Sequence, residues 1–195
     1  MKNVPNILSA IRILLAPVFL YLYWQESLLL GILGLVIFTI AALTDFLDGH
    51  LARKHEIETS LGTFLDPLAD KVLTFSAFFV LPFISTDLFP WWAIGVIVFR
   101  DVFITIFRIF AESKNTTMET RKSAKVKTAV QLTFLYIGLL VGVFKGHDNI
   151  IGSLADSILD TQIMYILTMF VTAFTAYTGL EYVVVNRQLF SKNNA

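Results

Sequence analysis

The sequence predicts an all-α integral membrane protein, a bundle of six transmembrane helices with both termini in the cytoplasm. Three observations carry that prediction. The first is composition: of 195 residues, 56% are hydrophobic and only 15% are charged, and the mean hydropathy is +0.71. A soluble domain is about 45–50% apolar and about 25% charged, and a chain this short leaves much of its surface exposed, so the excess apolar area could not be hidden from water. The second is segmentation: six apolar runs, at residues 7–24, 28–53, 61–84, 91–111, 126–144 and 163–185, each approach the roughly 20 residues needed to cross the hydrocarbon core. The third is charge asymmetry. With the N-terminus inside, the inner loops and tails hold Lys2, Arg53, Lys54, Lys114, Arg121, Lys122, Lys125, Arg187 and Lys192, whereas the outer loops hold Lys145 among acids. Lys and Arg collect on the cytoplasmic side.

Each run has its own reason to be a helix in lipid. The first holds Arg12 inside its apolar stretch, lacks a small-residue cleavage site and precedes five more spans, so it is expected to be a span and not a cleaved leader. The second ends on Arg53 and carries Asp45 and Asp48 near that end. A short connection of about seven residues, 54–60, makes the second and third runs antiparallel neighbours. The fourth opens on Pro90, Trp91 and Trp92, an aromatic pair at the outer boundary. The polar, basic stretch 112–123 before the fifth reads as a cytoplasmic linker. The loop 146–161 before the sixth is the longest outside the bilayer and is expected to carry a short surface helix. No repeat or low-complexity tract divides the chain, so residues 1–195 read as a single membrane domain. The 18 phenylalanines are expected in lipid-facing or interhelical packing.

Composition also excludes chemistry. The chain has no cysteine, which removes disulfides, thiolate metal sites and cysteine nucleophiles. Fifteen basic side chains balance fifteen acidic ones, so no nucleic-acid partner bound through bulk charge is expected.

The stretch 43–73 carries the chemistry. Asp45, Asp48, Asp66 and Asp70 lie in or beside spans, where an ionisable residue is costly and marks function by default. Four carboxylates together raise one another's pKa, and bound cations offset that cost. At about 100° per residue, Asp48 lies about −60° from Asp45, Gly49 about +40° and Ala52 about −20°, so all share one face. Asp66 and Asp70 are four apart and share a face of the next helix, with Gly62 one turn away. Carboxylate oxygens suit hard divalent ions such as Mg²⁺, and two such ions clamp a phosphoryl-type displacement. Gly49, Ala52 and Gly62 leave room beside the acids, and Arg53 sits where it can meet a phosphate. On the residues alone, structural pairing with Arg53, Lys54 or Lys71, or a cation pathway in a transporter, remains open. Lys71, about 100° round from Asp70, either tunes the cluster or snorkels to the interface. His50, His55 and His147 are scattered and read as non-ligands.

The pattern D-x2-D-G-x2-A-R-x8-G-x3-D-x3-D, met here by Asp45, Asp48, Gly49, Ala52, Arg53, Gly62, Asp66 and Asp70, resembles the signature of the CDP-alcohol phosphotransferase family. The resemblance extends over essentially the whole chain. It implies a six-helix membrane enzyme in which the four aspartates hold two divalent cations, Mg²⁺ or Mn²⁺. Asp70 would act as general base on the acceptor hydroxyl. Asp48, Gly49, Ala52, Arg53 and Gly62, with Asn6, would line the site of the CDP-linked donor.

A second group of residues concerns the acceptor. The fourth run carries Arg100, Asp101 and Arg108, and the fifth opens on Arg121, Lys122, Lys125, Lys127 and Thr128. Arg100 is deep in its span and needs a counter-charge or a hydrated cavity. Asp101 and Arg108 fall within about 20° of one face, two turns apart, which leaves Arg108 open as a structural ion pair. Lys125 and Lys127 read either as positive-inside anchors or as phosphate ligands. Gly62 to Lys71 (GTFLDPLADK), Arg100-Asp101, Ile106-Phe107-Arg108, and Ala124-Lys125-Val126-Lys127-Thr128 with Gln131 resemble the phosphatidylglycerophosphate synthases of the family. So does Pro5-Asn6-x-x-Ser9-x-x-Arg12. Asn6 and Arg12 also read as a cap and anchor of the first helix. That resemblance implies CDP-diacylglycerol as donor, glycerol 3-phosphate as acceptor, and Arg100, Arg108, Lys125, Lys127 and Thr128 at the acceptor phosphate. The missing targeting residues lead to the expectation of a multi-pass protein among the lipids of a bacterial plasma membrane, with a processed organellar protein left open. The charge asymmetry puts its site towards the cytoplasm, and the family resemblance adds a homodimer. Asp101, Phe107 and Ala124 depart from that pattern, and Arg100-Asp101 with the stretch 125–132 (KVKTAVQL) also resembles the CMP-forming cardiolipin synthases, which use phosphatidylglycerol, so the acceptor stays open.

Overall fold

The computed structural model describes residues 4–25, 27–55, 62–113 and 122–186, and side chains at 10–25, 27–43, 71–109, 111, 123 and 126–186. These residues form seven helices and no strand: α1 Val4–Tyr23, α2 Leu28–His55, α3 Gly62–Ile84, α4 Trp91–Ser113, α5 Lys122–Phe144, α6 Ile150–Leu159 and α7 Ile163–Val185. Six coincide with the six apolar runs, and α6 lies in the loop expected to carry a short helix. Among the described residues, Val126–Phe144 and Ile163–Val185 are long and apolar enough to cross a membrane. The chain divides into two compact units: Met1–Leu81 with Leu139–Asp156, and Pro82–Gly138 with Ser157–Ala195.

In the first unit α1 packs along α2. Phe19 of α1 is fully buried against Tyr23 and Phe38, with ring centroids 5.6 and 5.3 Å away. Gly34 makes the approach close: a Cβ there would lie 3.3 Å from the Tyr23 backbone nitrogen and 3.5 Å from the Phe19 carbonyl oxygen, as small residues do at helix crossings in lipid. The Tyr23 hydroxyl donates to the Leu139 carbonyl at 2.7 Å, tying α1 to the end of α5. The turn after α5 uses Gly146 at φ +71°, the left-handed region glycine tolerates. Its N–H donates to Asp156 at 3.0 Å, and the Asn149 side chain caps α6 by accepting the Gly152 N–H at 2.6 Å.

In the second unit α4 packs on α7. The buried side of α7 is a seam of threonines, Thr168, Thr172, Thr175 and Thr178. Thr172 donates to the Thr168 carbonyl at 2.7 Å, and Thr168 lies 2.9 Å from the Leu88 carbonyl. Gln131 donates to Thr175 at 3.2 Å. The outward side is apolar: Phe99 is 71% exposed and Leu180 69%, and Phe99, Phe103 and Phe107 stack one turn apart. Leu29 of the first unit is 69% exposed while Arg12 keeps 2%. Such exposure of many large apolar side chains, with charged groups such as Arg12 and Asp101 buried among an apolar interior, is unlike a water-soluble surface and fits hydrocarbon as the surrounding medium. Trp91 and Trp92 are exposed, and Trp91 meets Phe83 edge-on at 5.2 Å.

The start of α1 corrects the capping expectation for Asn6. The helix begins at Val4, so Asn6 is inside its first turn and not ahead of it. Arg12 is no surface anchor either, because its side chain is among the most fully buried in the chain.

Candidate active site

Asp45, Asp48, Gly49, Ala52 and Arg53 all fall within the uninterrupted helix α2, and Gly62, Asp66 and Asp70 within α3. The helical phases assumed from sequence therefore apply to this backbone: the first pair of acids is one turn apart on α2, the second one turn apart on α3. Their side chains, with those of Asn6 and Arg53, lie outside the described residues. The donor set is all carboxylate, which fits a hard divalent cation and not a soft one. Among the described side chains no group of three or more His, Asp or Glu could hold a metal. Lys71, next to Asp70, is half-buried.

The second unit assembles a charged cluster whose geometry is explicit. Asp101 on α4 is 2% exposed and Lys127 on α5 is 3% exposed. Lys127 Nζ donates to Asp101 Oδ1 at 2.7 Å, and Arg100 Nη1 donates to the same oxygen at 3.0 Å. The counter-charge expected for Arg100 is thus its neighbour Asp101. Arg100 passes over Gly179 of α7, where a Cβ would lie 2.8 Å from its Cγ, and its Nε is buried with no acceptor. Such charge-assisted bonds are strong where water is scarce.

Arg108, on the same nominal face as Asp101, is exposed and has no ion pair among the described residues. Seven residues of helix carry it about 10 Å along α4, whereas Lys127 reaches Asp101 from another helix. Thr128 is exposed, and the side chain of Lys125 lies outside the described residues. Of the five expected acceptor ligands, Arg100 and Lys127 are therefore brought together, through Asp101. Sequence reasoning missed Glu181. It lies inside the apolar run of α7 and accepts a hydrogen bond from Ser123 of α5 at 2.6 Å. The rule that marked the aspartates, an acid within a span, would have found it.

Comparison with known proteins agrees with the motif. A family model described as CDP-alcohol phosphatidyltransferase matches residues 2–151. A protein of Rickettsia typhi named CDP-diacylglycerol–glycerol-3-phosphate 3-phosphatidyltransferase is 31% identical over 183 residues, 93% of this chain and 96% of the relative. One of the same name from Aquifex aeolicus is 39% identical over 139 residues, 71% of this chain and 76% of its own. A probable CMP-forming cardiolipin synthase of Drosophila melanogaster is 35% identical over 158 residues, 72% of this chain and 47% of its own. With all eight signature residues inside the matched span, the chain belongs to the CDP-alcohol phosphatidyltransferase family.

Proposed function

We propose that this protein transfers the phosphatidyl group of CDP-diacylglycerol to glycerol 3-phosphate, giving phosphatidylglycerophosphate and CMP. What carries the reading is the complete aspartate signature on α2 and α3 in a chain whose full-length relatives bear that activity's name. The acceptor hydroxyl oxygen forms a bond to the phosphatidyl phosphorus, the bond from that phosphorus to the CMP oxygen breaks, and CMP leaves with the electron pair. Asp70 takes the hydroxyl proton. Asp48, Gly49, Ala52, Arg53, Gly62 and Asn6 accommodate the cytidine diphosphate. Asp45, Asp48, Asp66 and Asp70 are the residues that would hold two Mg²⁺ or Mn²⁺ ions, whose charge neutralises the pyrophosphate and the leaving group. Arg100, Arg108, Lys125 and Thr128 serve the acceptor phosphate, with Lys127 acting through the Asp101 oxygen it shares with Arg100.

A second reading, CMP-forming transfer to phosphatidylglycerol, is favoured by one observation: Asp101 already draws on both Arg100 and Lys127. A cluster with part of its charge offset suits the single charge of a diester. Purified protein with labelled CDP-diacylglycerol and each acceptor in turn decides between them. CMP release is expected with glycerol 3-phosphate; release with phosphatidylglycerol alone overturns the first reading.

All 195 residues act as one membrane domain of six spans, α1 to α5 and α7, with both termini and the site on the cytoplasmic side of a bacterial plasma membrane, as a homodimer. The positive-inside asymmetry and the exposed apolar faces support this. Because the chain has no cysteine, single thiols report sidedness directly. In intact spheroplasts a membrane-impermeant maleimide should label Asp160→Cys and leave Thr116→Cys and Asn193→Cys unlabelled until the membrane is permeabilised. The opposite pattern would reverse the orientation.

A further inference from the structure

Within the buried cluster of the second unit the three charged groups are not equally reachable. The Asp101 side chain keeps 1% of its exposure and Lys127 4%, but Arg100 keeps 12%. Arg100 is therefore the member that a ligand can meet, and Lys127 acts on it through the shared Asp101 oxygen. Its position depends on a second feature, on another helix. Gly179 of α7 is buried, and a Cβ there would lie 2.8 Å from Arg100 Cγ, 3.3 Å from Nε and 3.6 Å from Cδ. Carbon atoms rest about 3.5–4.0 Å apart, so the side chain could not keep this course past an alanine. Cγ is near the root of the arginine, so relief requires the whole group to swing. The present course leaves Nε buried without an acceptor, an unfavourable arrangement for a charged donor.

We propose that Gly179 is a positioning residue: its missing Cβ lets Arg100 lie against α7 with Nη1 on Asp101, and so sets the guanidinium that meets the phosphate group of the acceptor. This deepens the reading above and rests on it for the identity of the acceptor. The competing account is that Gly179 serves helix packing alone.

A double-mutant cycle over Gly179→Ala and Arg100→Ala separates the two. In otherwise native protein Gly179→Ala should raise the KM for glycerol 3-phosphate by about tenfold while leaving that for CDP-diacylglycerol within about twofold. In the Arg100→Ala background the same change should move neither by more than about twofold, because the atoms it would strike are gone. An equal effect of Gly179→Ala in both backgrounds, or an equal rise in both KM values, overturns the proposal. Melting temperature follows the same cycle and needs no turnover: Gly179→Ala should lower Tm in the native background and not in Arg100→Ala. If unmodified protein releases no CMP with glycerol 3-phosphate, the acceptor reading fails. The Tm cycle still decides whether Gly179 acts through Arg100, and equal Tm losses in both backgrounds reject it.

Discussion

Replacing Asp70 by asparagine should abolish CMP release, by about 10³-fold or more, in protein that remains folded and inserted. Asparagine has nearly the same shape as aspartate, and the helical backbone at this position is part of a continuous α3. What is lost is a negative charge and a proton acceptor. Position 70 carries both proposed roles, cation holding and proton acceptance, so the loss should be larger than at Asp45, which carries one. Stability gives an independent readout. In the proposed site the four carboxylates would repel one another, so removing one should leave the Tm without added cation unchanged or higher. A ligand that binds only folded protein raises Tm in proportion to its affinity, so Mg²⁺ should stabilise the native protein and stabilise Asp70→Asn less. Near-normal turnover by Asp70→Asn would remove the proton-acceptor assignment. Lost turnover with an undiminished Mg²⁺ shift would confine Asp70 to proton transfer.

The helices were legible because each is written as a long, nearly uninterrupted apolar run set off by polar or turn-forming residues. The predicted run 163–185 and α7 have the same ends, and 61–84 differs from α3 by one residue. The short α6 was legible as well, from the length of its loop. The aspartates were legible for the opposite reason, since charge in such a run needs an explanation. Partner choice was not legible. Helical phase set Arg108 beside Asp101, but phase reports only on one helix, and the second partner proved to be Lys127, from α5. Nor could phase report that Arg12 is buried or that Gly179 has Arg100 lying on it. Those facts belong to packing between helices, which a one-dimensional pattern does not encode.

Removing the Asp101 carboxylate should cost the second unit more stability than any other single change in its charged cluster. One oxygen of Asp101 accepts from both Lys127 and Arg100, at 2.7 and 3.0 Å, in surroundings that leave Asp101 2% exposed. Breaking a buried ion pair by deleting one partner costs about 3–5 kcal/mol. For a chain of this size that corresponds to a fall in Tm of about 6–20 °C. The sign follows from what remains: Asp101→Ala leaves the buried Lys127 and the part-buried Arg100 facing each other where one anion had bridged them. Asp101→Asn keeps an oxygen that can accept hydrogen bonds and loses only the charge, so it should fall between Asp101→Ala and the native protein. Lys127→Met should be much milder, because it removes a desolvated charge, preserves an unbranched stem and leaves the Arg100–Asp101 pair in place. Adding Lys127→Met to Asp101→Ala should then recover part of the loss, since it removes one of the two opposed cations. Thermal melts of the four variants in one detergent measure this order. If Asp101→Ala melts within about 2 °C of the native protein, the three groups do not share a dry, mutually dependent charge site, and Asp101 could no longer be what holds Arg100 in place.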